Sequence, residues 1–143
     1  MYNDLRTLGF TSRKSLKLKM PKIPQKYLGH FVRGYFDGDG CVYFNKHQVK
    51  DRKNPRYVFA TRFTCGSRSF LATLVRVLRA RGLRRGFILE KYNTAYELVF
   101  SHNDSVALYR IMYNNLRDSD IYLGRKYKLF THAIETLYGK MRV

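Results

Sequence analysis

Acidic residues are scarce in this chain: 10 Asp and Glu stand against 28 Lys and Arg in 143 residues, a formal net charge of +18. Cysteine is sparser still. Cys41 and Cys65 form no CxxC pair, and His30, His47, His102 and His132 lie far apart with no ligand spacing. A zinc site is therefore not expected. The two thiols are expected to stay reduced in an intracellular compartment, with organelle and prokaryotic cytoplasm not distinguished. No apolar run approaches the roughly 20 residues needed to cross a bilayer. No signal-peptide pattern opens the chain, and no membrane partner is expected.

What is present is mostly positive charge and ordinary core material. Hydrophobic residues make up 45%, enough for one globular domain at this length. Unpaired charge on this scale opposes compaction, so it answers a polyanionic partner, nucleic acid first. An anionic membrane surface ranks second, and a merely solvated basic surface last.

Residues 1–24 read as a basic arm, with Lys14, Lys17, Lys19 and Lys22 beside Pro21 and Pro24, ahead of a single domain over 25–143. Met1-Tyr2-Asn3 has no cap or tail pattern, which raises the expectation that the chain is cut from something longer. Tyr27, Leu28, Phe31, Val32, Tyr35 and Phe36 give one broad apolar face to a helix from about Gln25 to Asp37. Strands are expected over Cys41–Lys46 and Arg56–Cys65. Ser67 can cap a helix over Ser69–Arg81, with Gly82 at its exit. Two more strands, Gly86–Tyr92 and Tyr96–Ser101, meet at Asn93-Thr94. Asp104 or Ser105 caps a third helix to about Asn114, and a fourth starts near Arg125. The order is α-β-β-α-β-β-α-α, an α+β fold.

The stretch HFVRGYFDGDGCVYFN, residues 30–45, breaks the local rules. His30, Gly34 and Gly38 form a stripe four residues apart, although glycine costs roughly 0.5–1 kcal/mol against alanine in a helix. Close approach of a second helix explains such a stripe. If that helix is an identical copy, the patch closes on itself as a two-fold dimer. The alternative is that Gly38 belongs to the helix end and Gly34 eases packing within one chain. Asp37 and Asp39 sit where the helix already carries partial negative charge, so a cation must collect it, either an Arg or Lys or a divalent metal. An EF-hand is excluded, because position five from Asp37 is Cys41 and position twelve is Gln48. A phosphatase-type DxD would need a parallel strand in a larger fold.

Val32-Arg33-Gly34-Tyr35-Phe36-Asp37-Gly38-Asp39-Gly40 resembles the nine-residue signature of the LAGLIDADG homing endonucleases, in its GYFDGDG form. The likeness extends over nearly the whole chain, through the αββαββα order, Gly66-Ser67 before the second helix, and RKYKLF at Arg125 to Phe130. It implies a curved antiparallel sheet as a DNA-binding saddle and signature helices paired at a homodimer interface through His30, Gly34 and Gly38. It implies that Asp39 binds Mg²⁺ (or Mn²⁺), with the Gly38 carbonyl as a second ligand and Asp37 mainly structural. The metal would activate water and stabilise the leaving oxygen of a phosphodiester. Each Asp39 would serve one strand, giving a staggered double-strand cut in a long pseudo-palindromic target. Lys126 fits the place of an active-site lysine that stabilises the developing phosphorane or orients water. Arg68 is a further pocket cation or an ordinary phosphate contact. Arg33 and Tyr35 depart from the consensus small residue and Leu, and Arg33 is expected to clear the glycine stripe. Cys41 takes a place often held by Ser.

Alternation sorts the strands into two faces. Val42, Phe44, Phe59, Phe63 and Cys65 point to the core, leaving Tyr43, Asn45, His47, Arg62 and Thr64 outside, with Lys91 and Glu97 on the later strands. Arg to guanine, Asn to adenine and Glu to cytosine are the sensible major-groove pairings. Strands of eight to ten residues span roughly 30 Å, about nine base pairs per subunit and eighteen per dimer. Arg76 to Arg85 and the lysines of the arm suit phosphates, although Arg76 and Arg79 also read as a solvated helix face. Beside the endonuclease stands a non-cleaving binder of the same fold, an intron RNA maturase or a DNA-binding regulator. A generic basic structural protein leaves the Gly/Asp stretch unexplained. The host element is not fixed by the sequence.

Overall fold

The computed structural model describes residues 14–92 and 95–140. Arm residues 1–13 and the turn residues Asn93 and Thr94 lie outside the described residues. A short helix α1 (Lys14–Lys17) and a 3-10 turn (Gln25–Tyr27) lead into α2 (Leu28–Asp39), β1 (Gly40–His47) and β2 (Arg56–Cys65). Then come α3 (Arg68–Arg79), β3 (Phe87–Lys91), β4 (Ala95–Ser101), α4 (Asn103–Tyr113) and α5 (Gly124–Tyr138). The expected order holds, and the fold is α+β.

The four strands form one antiparallel sheet in the order β1-β2-β4-β3. Period-2 alternation puts Val42, Phe59, Phe63, Leu98 and Phe100 on one buried face, packed with the helices. Phe36 joins Phe63, edge-to-face, to Phe130, tilted against it, in an aromatic chain through the middle of that core. Ser67 caps α3 as expected, its hydroxyl accepting from the Phe70 amide at 3.2 Å. The same hydroxyl donates to the Leu18 carbonyl at 2.7 Å, and Leu18 and Met20 pack against the core. Gly82 leaves the α3 exit with φ +102°, a conformation glycine adopts without strain.

Two expectations are corrected. The first helix runs two residues further, to Asp39, so both aspartates lie in its last turn. Neither Asp104 nor Ser105 caps α4, which begins at Asn103 behind His102. Instead, the Asp104 carboxylate accepts from the Arg84 amide at 2.8 Å and the Arg85 amide at 2.7 Å, pinning the loop before β3. The Ser105 hydroxyl donates to the Phe100 carbonyl. Arg76 and Arg79 are both exposed on α3, and Arg79 also donates to the carbonyls of Arg85 and Gly86.

The glycines of the motif helix divide by what faces them. A Cβ on Gly29 would lie 2.5 Å from the Ile111 carbonyl oxygen, so α2 and α4 meet almost backbone to backbone there. A Cβ on Gly40 would lie 2.7 Å from the Phe36 carbonyl oxygen, because β1 leaves directly from the helix end. Gly34 and Gly38 have nothing within 4 Å of an added Cβ. The close approach inside this chain is therefore at Gly29, and the stripe at Gly34 and Gly38 is open.

Candidate functional site

The end of α2 is held by a cation from the far end of the chain. The Lys126 ammonium donates to the carbonyls of Phe36 at 2.8 Å, Asp37 at 2.8 Å and Gly40 at 2.6 Å. An ammonium has three protons, and all three are engaged. Lys126 is 9% exposed. Burial, reinforced by Arg125, holds its pKa below the usual lysine value, while Asp37, Cys41 and Asp39 pull it back. The cation demanded by the helix dipole is thus a lysine on the carbonyls themselves.

Asp37 faces the reverse situation and solves it locally. Its Oδ2 accepts from the Leu123 amide at 3.0 Å, at the start of α5. A carboxylate at a helix N-terminus is favoured by both the free amide and the dipole. α2 and α5 are therefore stitched end to end by two contacts of opposite polarity. Asp39 remains exposed at the tip. It and the Gly38 carbonyl are hard oxygen donors that Lys126 does not occupy.

Among the described residues, no three His, Cys, Asp or Glu side chains gather into a metal site. The end of α2 supplies one exposed carboxylate, with no partner among the described residues, and an adjacent carbonyl. That set fits a Mg²⁺ ion, which keeps several waters and is completed by phosphate oxygens or a second carboxylate. Arg68 is exposed at the first turn of α3, and no contact among the described residues joins it to Asp39 or Lys126.

His30 and Gly34 border an open groove of about 460 Å³ together with Leu18, Pro21, Phe31, Tyr35 and Phe70. Arg33 does clear the stripe, for a reason the sequence hides. It is buried and donates to the Met112 carbonyl and to His30 Nδ1, each at 2.9 Å, with Asp120 3.5 Å away. The Arg117 amide, aided by the Arg33 guanidinium, holds the Asp120 carboxyl below the usual range. Tyr35 stacks on Phe63 and donates to the Thr64 carbonyl at 2.8 Å, and its burial pushes the phenol pKa up.

The seven residues expected on the outer sheet face share it. Cys41 opposes Arg62, which opposes Val99, and Thr64 opposes Glu97. Tyr43, Asn45 and His47 follow Cys41 at two-residue steps, and Lys91 follows on β3. They are not all free. Glu97 lies 3.4 Å from Arg62 and 3.7 Å from Lys91, and the Arg62 guanidinium sits 5.2 Å over the Tyr43 ring. The Tyr43 hydroxyl meets His47 Nε2 at 3.2 Å. Sequence reasoning missed Gly29, the three carbonyls of Lys126 and the Asp37–Leu123 bond. Each joins segments far apart in the chain, so periodicity carries no trace of it.

No family model matches the chain. A curated relative, the probable translation initiation factor IF-2 of Thermococcus kodakarensis, is 30% identical over 135 residues. The match covers 91% of this chain but spans a tenth of that protein's length. Among solved structures, the archaeal intron-encoded homing endonuclease I-Vdi141I complexed with DNA superposes with TM-score 0.61 at 19% identity. That match covers 76% of this chain and 67% of the other. The homing endonuclease I-TnaI gives TM-score 0.54 at 16% identity, over 79% and 68%. I-CvuI, described in complex with DNA in the presence of Mg, gives 0.51 at 13%, over 64% and 58%. Among the described residues, no helix is long and apolar enough to cross a membrane. With an αββαββα core, a helix that ends on two aspartates and these structural likenesses, the chain has the LAGLIDADG homing endonuclease fold.

Proposed function

We propose that this chain is a site-specific DNA endonuclease that acts as a two-fold dimer and requires a divalent metal, Mg²⁺ or Mn²⁺. The carrying observation is the exposed Asp39 at the end of α2, a helix whose small-residue stripe is open. Gly34 and Gly38 leave room for the same helix of a second copy, and the apolar groove beside Gly34 gives that copy surface to bury. Such pairing brings two Asp39 carboxylates to the two-fold axis. Each would hold a metal with its Gly38 carbonyl. The bound ion would supply Lewis-acid activation of water and stabilisation of the leaving oxygen.

The protein's own residues do the positioning. Lys126 ties the carbonyls of Phe36, Asp37 and Gly40 together, fixing the turn that carries Asp39. In this reading it acts by holding that turn, since its protons are committed to it. Asp37 anchors the same turn to α5. The outer sheet face lies along the duplex, with Arg62 pre-set between Tyr43 and Glu97 for a guanine edge and Asn45 for an adenine. Glu97 serves chiefly to orient Arg62 and Lys91. Arg68 serves as a phosphate contact.

A randomised duplex library incubated with protein and Mg²⁺ tests the proposal. Staggered ends enriched at one pseudo-palindrome of about eighteen base pairs support it. Selective binding with no cleaved ends would replace it with a non-cleaving binder of the same fold.

A further inference from the structure

β3 is one of the two edge strands of the sheet, and its outward residues are Phe87, Leu89 and Lys91. Phe87 is 51% and Leu89 42% exposed. They are consecutive on the face that carries Arg62, Thr64 and Glu97: Phe87 opposes Val99 in the row of Arg62, and Leu89 opposes Glu97 in the row of Thr64. Two large apolar side chains thus stand side by side in water, on the face that a polyanion is proposed to cover. Phosphate gives them nothing. Exposed Arg84 and Arg85 precede them and Lys91 follows, so the strand reads cationic, apolar, apolar, cationic.

Only one apolar group lies on the base edges of the major groove, the 5-methyl of thymine. We infer that Phe87 and Leu89 are specificity-determining residues that read thymine methyls, while Lys91 and the Arg84-Arg85 pair hold the flanking phosphates. The inference rests on the DNA-binding reading above and deepens it by naming a base. Residues two apart on a strand are separated by roughly 6.8 Å, which is about two base-pair steps at 3.4 Å each. The selected half-site should therefore carry two thymines two steps apart, on either strand, near the guanine contacted by Arg62.

Replacing thymine by uracil removes the methyl and keeps the pairing, which gives a direct test. The duplex selected by the wild-type protein from the randomised library is resynthesised with dU for dT in each half-site. Burial of one methyl is worth about fourfold in affinity, so wild type should bind roughly fifteenfold more weakly for each half-site that loses both methyls, and about two hundredfold more weakly when both half-sites carry dU. The double variant Phe87→Ser, Leu89→Ser should bind dT and dU duplexes alike, with an unchanged unfolding transition. Phe87→Leu alone should retain most of the preference for the methyl. Equal binding of both duplexes by wild type would overturn the assignment, as would an undiminished dU penalty in the double variant. A wild-type protein that selects no sequence would overturn the DNA reading itself, and this assignment with it, before any variant is made.

Discussion

Lys126 Nζ and the Gly40 carbonyl oxygen are 2.6 Å apart, although 86 residues separate them in the chain. With its bonds to Phe36 and Asp37, this one ammonium closes the C-terminal end of the motif helix. Lys126→Met should therefore do more than remove a charge, because it leaves three carbonyls without their donor. A loss of about 2–4 kcal/mol in urea unfolding is expected, together with loss of cleavage. Lys126→Arg, whose planar fork cannot reproduce a three-way ammonium contact, should recover little of either.

Gly29 and Gly34 make opposite predictions for the same substitution. Gly29→Ala drives a methyl against the Ile111 carbonyl and should cost about 1–3 kcal/mol. Gly34→Ala meets nothing within the chain and should raise monomer stability by about 0.5–1 kcal/mol, the helix preference for alanine. The same change should weaken self-association, measured by sedimentation velocity. Self-association untouched by Gly34→Ala and Gly38→Ala would remove the glycine stripe from the interface.

Asp104 holds the loop before β3 through two amides. Asp104→Ala leaves both without an acceptor in a largely buried place, with an expected loss of about 2–4 kcal/mol. Asp104→Asn keeps one acceptor oxygen and should lose less than the alanine variant. Thermal unfolding of the two variants side by side checks the order.

Tyr109 and Tyr113, together with Tyr35, set the behaviour in alkali. Burial pushes Tyr109 up to about 12, despite its bond to Thr131, and moves Tyr113 further in the same direction. A raised folded-state pKa means that the folded protein keeps a proton that the unfolded chain loses near pH 10. Stability should be intact below pH 10 and fall above it, by up to about 1.4 kcal/mol per pH unit for each tyrosine. Lys126 works the other way, because its lowered pKa lets stability recover as pH rises toward the usual lysine value. The variant Tyr109→Phe, Tyr113→Phe should flatten the decline between pH 10 and 12 in denaturant titrations.

The local rules visible in residues carried the element order far. Alternation placed Val42, Phe59 and Phe63 inward and Tyr43, Arg62 and Thr64 outward, because the side-chain period of a strand leaves no other choice once one face is buried. Ser67 announced its cap for the same reason, since the residues involved are three apart. Asp104 looked like a cap by the same logic and was not. Its carboxylate found two amides 19 and 20 residues away, and no local rule sees those. The motif helix shows the limit most clearly. The chain's misplaced carboxylates did signal a missing cation, but not that Lys126 supplies it through carbonyls while Asp37 turns to Leu123. The glycines signalled a close approach, but the one inside the chain is at Gly29.

The most direct test of the account is on a supercoiled plasmid carrying the selected site, cut by wild type, by Asp39→Asn and by refolded mixtures of the two. Wild type should give linear product, the variant intact plasmid, and the mixture nicked circles, because each Asp39 serves one strand. Linear product from Asp39→Asn alone would contradict it, since hydrolysis would then proceed without the carboxylate on which the whole reading turns.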